Sequence, residues 1–233
     1  MNERRDVRHF AEVWRRKGSA GTADYRPGQN GRVDLALSLL SPGERLLDVA
    51  CGAGLMAEQA RGRFAEVHGI DIAETAVRLA RERGVTASVV NLNTDPLPYA
   101  DGFFDTVTLL SALQYVTDAS AVLAECARVL RNGGHLLVGV PNLRAYWRLW
   151  RLGVLGVFPR TSLDEVGDDG GTLHYFTHET LVRMLRPHGF APQSSHGLFC
   201  LPRFVDGLPD RGPLGRLKRE FFSAEIMVSA LKP

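Results

Sequence analysis

Five short apolar runs constrain this chain more than any other feature: "RLLDVA" (45–50), "AEVHGI" (65–70), "ASVVNL" (87–92), "FDTVTLL" (104–110) and "GHLLVGV" (134–140). Each has the length and composition of a buried strand. Helical patterns at 54–62, 73–83 and 118–131 separate them. Alternation of this kind predicts parallel strands joined by right-handed crossovers, hence a doubly wound α/β sheet. The third helix carries Val122, Cys126 and Val129 at helical spacing, with a stop expected at Asn132-Gly133-Gly134. Farther on, Thr177 can cap a helix with Leu181, Met184, Leu185 and His188 on one face, ending at Gly189. Two more strand-like runs follow at 192–200 and 224–231. Residues 141–177 break the alternation just after the fifth run, and open α/β sheets bind ligands beyond the carboxyl ends of their strands. The expectation is one domain over residues 1–233, with an N-terminal helical cap (1–40) and a substrate-side insertion or lid (141–177).

Charge and cysteine content narrow the function classes. The 28 basic and 26 acidic residues nearly cancel, so no global field points to nucleic acid or an anionic membrane. Cys51, Cys126 and Cys200 form no CxxC pair, which argues against a disulfide framework or zinc site and suits a reducing compartment. The start of the chain is polar, unlike a secretory signal, and no apolar run approaches the ~18 residues of a membrane span. These features predict a cytoplasmic protein with a small-molecule partner, no nucleic acid and no membrane, as a monomer or homodimer. Locally, the N-terminal stretch is basic and places Val7, Phe10 and Trp14 at helical spacing, as an amphipathic cap over a cleft would.

The stretch "LLDVACGAGLMAEQA" (46–60) carries the chemistry. Gly52, Gly54 and Ala57 fit G-x-G-x-x-[GA], with Asp71 downstream. A pyrophosphate would sit well on such a loop, but the carboxylate of Asp48 just before it would repel a phosphate in a low-dielectric cleft. A ligand with a positive centre reverses that sign. S-adenosylmethionine, with its ammonium and sulfonium, suits an acid and a glycine loop together.

"LLDVACGAG" resembles the first motif of the class I S-adenosylmethionine-dependent methyltransferases. "GIDIAETAV" resembles their second, while "FFDTVTLLSALQYV" and "VLRNGGHLLVGVPN" resemble their fourth- and fifth-strand motifs. The likeness covers roughly residues 25–200 and implies a seven-stranded, mostly parallel Rossmann-like sheet whose last strand inserts antiparallel. It further implies that Asp48 orients the loop and faces the methionine ammonium, that Ala50 offers its carbonyl, and that Gly52 and Gly54 allow close backbone approach. By the same likeness Asp71 holds the ribose hydroxyls and Ile72 lies against the adenine. Asn91 replaces the usual acid and would accept from the adenine amino group through its amide oxygen. Leu92 would add a backbone contact, Ser111 would line the methionine side, and Tyr25 could close over that end.

Some quinone-precursor O-methyltransferases of this family carry acids near the "SALQYV" position that can hold a divalent metal. Here Ser111, Gln114 and Tyr115 stand there, so no metal is expected. "PNLRAYWRL" with "LHYFT" also resembles, more loosely, the methionine-biosynthesis protein W family, associated with homoserine acylation. That likeness leaves a non-catalytic partner protein as an alternative, and an RNA or protein methyltransferase as another.

In the insertion, a helix would put Arg144, Arg148 and Arg151 on one face and Leu143, Trp147, Trp150 and Val154 on another. Either the basic face is solvated or the aromatics form a lid over an apolar acceptor. His174 and His178 flank Tyr175, and these three are the candidate catalytic residues, His174 first as a general base near neutral pH.

Overall fold

A computed structural model describes residues 8–14, 28, 31–159 and 171–233. Seven strands run β1 (Gly43–Val49), β2 (Phe64–Asp71), β3 (Thr86–Val89), β4 (Phe104–Leu110), β5 (Leu130–Pro141), β6 (Ala191–Cys200) and β7 (Ser223–Leu231). They form one sheet in the order β3-β2-β1-β4-β5-β7-β6. The first five are parallel, and β7 pairs antiparallel with both β5 and β6. The doubly wound sheet expected from the apolar runs is therefore present, with the antiparallel last strand that the family likeness implied.

Helices cover both faces. Residues 8–14 form α1. They are followed by α2 (Gly31–Leu39), α3 (Leu55–Ala60), α4 (Glu74–Glu82), α5 (Ala119–Val129), α6 (Tyr146–Leu155), α7 (His178–Leu185) and α8 (Gly212–Leu217). Strand side chains alternate between two apolar layers, as a pleat requires. Leu47, Val49, Leu109 and Val138 pack with Leu123 of α5 and Leu181 of α7. On the other face Leu46, Leu137 and Met227 pack with Ala36 of α2, Met56 of α3 and Val77 of α4. Strand order reverses between β1 and β4, and a ligand crevice opens at such a switch point.

Thr177 caps α7 as expected: its hydroxyl accepts from the Thr180 N–H while the Thr180 side chain accepts from the Thr177 N–H. The chain then tightens into a 3-10 turn, and Gly189 stops it with φ 81°. Two expected boundaries move. β3 ends at Val89 rather than 92: its partner β2 stops at Asp71, whose carbonyl takes the Val90 N–H as the last rung of the ladder. α5 ends at Val129, not at the Asn132-Gly133-Gly134 stop. Leu130 is already extended and fully buried opposite Phe104, and the glycines fall inside β5 where its register shifts.

The insertion helix reverses its expected orientation. Arg148 is buried, and its guanidinium donates to the carbonyls of Asn142 (2.7 Å) and Ala224 (2.6 Å). Trp150 and Val154 face outward. Burial pulls the Arg148 pKa down, and the two carbonyls satisfy donors that would otherwise be stranded. A basic face shared with Arg144 and Arg151 is thus not uniformly solvated.

Candidate active site

At the end of β1 the backbone turns sharply: Ala50, Gly52 and Gly54 all have positive φ (57°, 56° and 76°). Gly54 caps α3 in the left-handed region, and a Cβ there would stand 2.9 Å from Ala80 of α4. Only glycine satisfies both conditions without strain. A Cβ at Gly52 would stand 2.8 Å from the Trp14 ring, so α1 lies against the open side of the loop. Phe10 of the same helix meets the Tyr115 ring edge-on at 5.6 Å.

Two acids define the charge of this crevice. Asp71 Oδ2 accepts from the Gly52 N–H (2.9 Å) and Oδ1 from the Ala73 N–H (3.0 Å), which ties the glycine turn to the end of β2. Orienting the loop, expected of Asp48, thus falls to Asp71. Asp48 instead accepts from the Thr108 hydroxyl of β4 at 2.7 Å. It is only 4% exposed, and burial pushes its pKa up to about 7, against the lowering effect of the Thr108 bond and helped by the Asp71 charge. Among the described residues no cation pairs with this carboxyl, which is poised to receive one.

Asn91 is buried, but its oxygen is engaged. Oδ1 accepts from the Asn93 N–H at 3.1 Å, and because that group can only donate, the amide orientation is fixed. The atom without a partner is Nδ2. Beside the acceptor expected for an adenine amino group, Asn91 thus offers a donor that suits a ring nitrogen. Ile72 and Leu92, both half-buried, follow Asp71 and Asn91 in the chain. Ser111 ends β4 with φ 58°, and its hydroxyl is buried and unpaired. Left-handed backbone at a residue other than glycine is a cost that clusters at functional sites. Tyr25 lies outside the described residues.

The three catalytic candidates do not act from one place. Both ring nitrogens of His178 are engaged, Nε2 with the Ser195 hydroxyl (2.9 Å) and Nδ1 with Glu220 (3.5 Å). Burial, followed by the Arg219 charge, lowers its pKa. It braces α7 against β6 and the 218–222 turn. The Tyr175 ring packs toward Phe158 at the end of the insertion (6.0 Å between centroids). His174 stays at the crevice side. Its N–H, with that of Leu173, donates to the Gln114 carbonyl, and its buried Nε2 has no partner. Gln114 in turn donates from Nε2 to the Ser111 carbonyl at 3.0 Å.

Sequence reasoning passed over Thr108 and the pair of Arg32 on α2 with Glu225 on β7 (2.8 Å), and weighed Gln114 only as a non-acid at a metal position. Thr108 carried a signal, as a polar residue inside an apolar strand. Arg32 and Glu225 are too far apart in sequence to carry one. Among the described residues no cluster of three His, Cys, Asp or Glu side chains is placed to hold a metal ion, and no helix is long and apolar enough to cross a membrane.

Fold and crevice together define a nucleoside-binding α/β protein built for a ligand with a positive centre. The profile of a family described as "Methyltransferase domain" matches residues 47–138. The ubiquinone biosynthesis O-methyltransferase of Thiobacillus denitrificans is 35% identical over 171 residues, covering 69% of this chain and 70% of that one. The enzyme of the same name from Xanthomonas oryzae pv. oryzae is 37% identical over 118 residues, and there the chain spans about half (47%) of the relative's length. An S-adenosylmethionine-dependent methyltransferase from Thermotoga maritima superposes with a TM-score of 0.67 at 20% identity, covering 98% of this chain and 99% of that one. The chain belongs to the class I S-adenosylmethionine-dependent methyltransferases. The family's cofactor fits the crevice: the uncompensated Asp48 carboxyl matches an ammonium, and the orphan Asn91 donor matches a ring nitrogen.

Proposed function

We propose that this protein transfers a methyl group from S-adenosylmethionine to a hydroxyl oxygen of a small metabolite. The observation that carries the proposal is the buried Asp48 carboxyl beside the Ala50–Gly54 turn, its pKa pushed up to about 7 by burial and by the Asp71 charge. The choice of oxygen follows the relatives, which are named as O-methyltransferases.

In this proposal Asp48 receives the methionine ammonium and Asp71 the ribose hydroxyls. Ala50, Gly52 and Gly54 present backbone to the cofactor, while Ile72, Asn91 and Leu92 border the adenine. The cofactor supplies an electrophilic methyl on a sulfonium: the carbon–sulfur bond breaks, its electron pair stays on sulfur, and a carbon–oxygen bond forms. His174 takes the hydroxyl proton on Nε2, the ring atom without a partner in the fold. A positioned base of this kind contributes roughly 10²–10⁴-fold. Alignment of acceptor and methyl contributes more, since effective molarities reach about 10⁵–10⁸ M. Residues 8–14 and α6 wall the acceptor side, and the reaction needs no divalent cation.

The experiment is methyl transfer from labelled S-adenosylmethionine to a panel of phenols, with and without chelator. Labelled methyl ether in both conditions is the expected result. Transfer to no phenol contradicts the acceptor class, and loss of activity in chelator with recovery in magnesium contradicts the metal-free reaction.

A further inference from the structure

Three buried polar atoms without partners stand on residues that are bonded to one another: Ser111 Oγ, Gln114 Oε1 and His174 Nε2. Gln114 links them, donating to the Ser111 carbonyl (3.0 Å) and accepting from the His174 N–H (3.2 Å) at its own carbonyl. Buried polar atoms are nearly always paired, so three orphans in one cluster at the end of β4 point to a missing ligand.

The orphans also state what that ligand carries. A backbone carbonyl only accepts, so the Gln114 atom facing Ser111 is the NH₂ group and the orphan is Oε1. Oε1 accepts and never donates. The Ser111 hydroxyl and a neutral imidazole nitrogen can each serve in either sense. A group that donates a hydrogen bond completes the cluster, whereas a carboxylate would set its oxygens against Oε1.

Nearby cations are engaged elsewhere. Arg32 pairs with Glu225, Arg144 with Glu220, and Arg148 with two backbone carbonyls. A carboxylate acceptor would therefore enter without a counter-charge from these three arginines.

We infer that Gln114 is a specificity-determining residue, whose Oε1 receives a hydroxyl or amine hydrogen of the acceptor other than the proton His174 takes, and which turns carboxylate acceptors away. Ser111 assists from the other side. The inference rests on the methyltransferase proposal and adds the acceptor's hydrogen-bonding class.

The test uses the full chain saturated with S-adenosylhomocysteine, titrated calorimetrically with catechol, 1,2-dimethoxybenzene and benzoate. Catechol should bind at least about tenfold tighter than either of the others, the size of one hydrogen bond lost with a buried acceptor left bare. Gln114→Met should remove about tenfold of catechol affinity and leave S-adenosylhomocysteine affinity unchanged. Ser111→Ala, a smaller change, should remove part of it and keeps the question open to test if Gln114→Met fails to fold. Benzoate binding as tightly as catechol, or catechol affinity untouched by both substitutions, overturns the inference. Labelled methyl appearing on carboxylic acids alone would overturn it while leaving methyl transfer standing. Absence of S-adenosylhomocysteine binding would instead remove the methyltransferase proposal beneath it.

Discussion

The two sides of the crevice are built by different means. On the cofactor side, the glycine turn is clasped by Asp71, 19 residues away, at the ends of neighbouring parallel strands. On the acceptor side, Arg32 reaches Glu225 across 193 residues, and Arg148 and Arg144 reach Ala224 and Glu220 across 76. Asn142 Nδ2 donates to the carbonyls of Arg219, Glu220 and Ser223, which ties the root of the insertion to the start of β7. The first side is a property of backbone turns and strand ends. The second is assembled late in the chain, by side chains fastening α6 and α7 to the β6–β7 hairpin. A fold of this design can change its acceptor by exchanging those fastenings while the cofactor turn stays as it is.

If the two sides are separable, substitutions should divide cleanly between them. The largest effect is expected at His174. Replacement by Asn should lower kcat by roughly 10²–10⁴-fold and leave S-adenosylhomocysteine affinity unchanged. Single-turnover rates measured beside calorimetry check this, and equal losses in both would join the two sides. Next comes Arg148. Arg148→Leu removes two charged hydrogen bonds to the carbonyls of Asn142 and Ala224, so about 2–4 kcal/mol of stability should go. In a domain of this size that is a fall in Tm of roughly 5–10 °C. Scanning calorimetry checks it, and an unchanged Tm would mean that α6 is held by other contacts.

The smallest effect is the pH dependence of Asp48. Its folded pKa, about 7, lies above the ordinary value of 3.8. The fold therefore keeps a proton that the unfolded chain releases, and stability falls as pH rises from about 4 to 7. A bound ammonium favours the carboxylate. S-adenosylhomocysteine binding at pH 6 should release a proton, and affinity should rise up to about tenfold by pH 8. Titrations in buffers of different ionisation enthalpy measure that proton, and Asp48→Asn should abolish its release. A pH-independent affinity in the unsubstituted protein would place the ammonium elsewhere.

The same division explains what the sequence made legible. "LLDVACGAG" and Asp71 could be read because the turn needs glycine at Gly54 and the strand ends place both acids beside it. Five strands were visible as apolar runs and the last two as strand-like runs. The β3 and α5 boundaries were not, since the end of β2 at Asp71 and the burial of Leu130 decide them. His174 and His178 were both catalytic candidates in sequence, His174 first, and the packing of α7 against β6 assigns His178 to Ser195 and Glu220. The helical pattern of α6 was legible, but not which face turns inward, because one of the two carbonyls that hold Arg148, that of Ala224, comes from 76 residues away.

The central claim is that Asp48, Asp71 and the turn between them cradle a cationic thioether nucleoside. Calorimetric titration of the full chain and of Asp71→Ala with S-adenosylhomocysteine tests it most directly. Saturable heat release from the unsubstituted protein is expected, with affinity roughly a hundredfold weaker in the variant, as loss of charge-assisted bonds implies, at unchanged circular dichroism. No heat from the unsubstituted protein, or binding of NAD in its place, would contradict the claim.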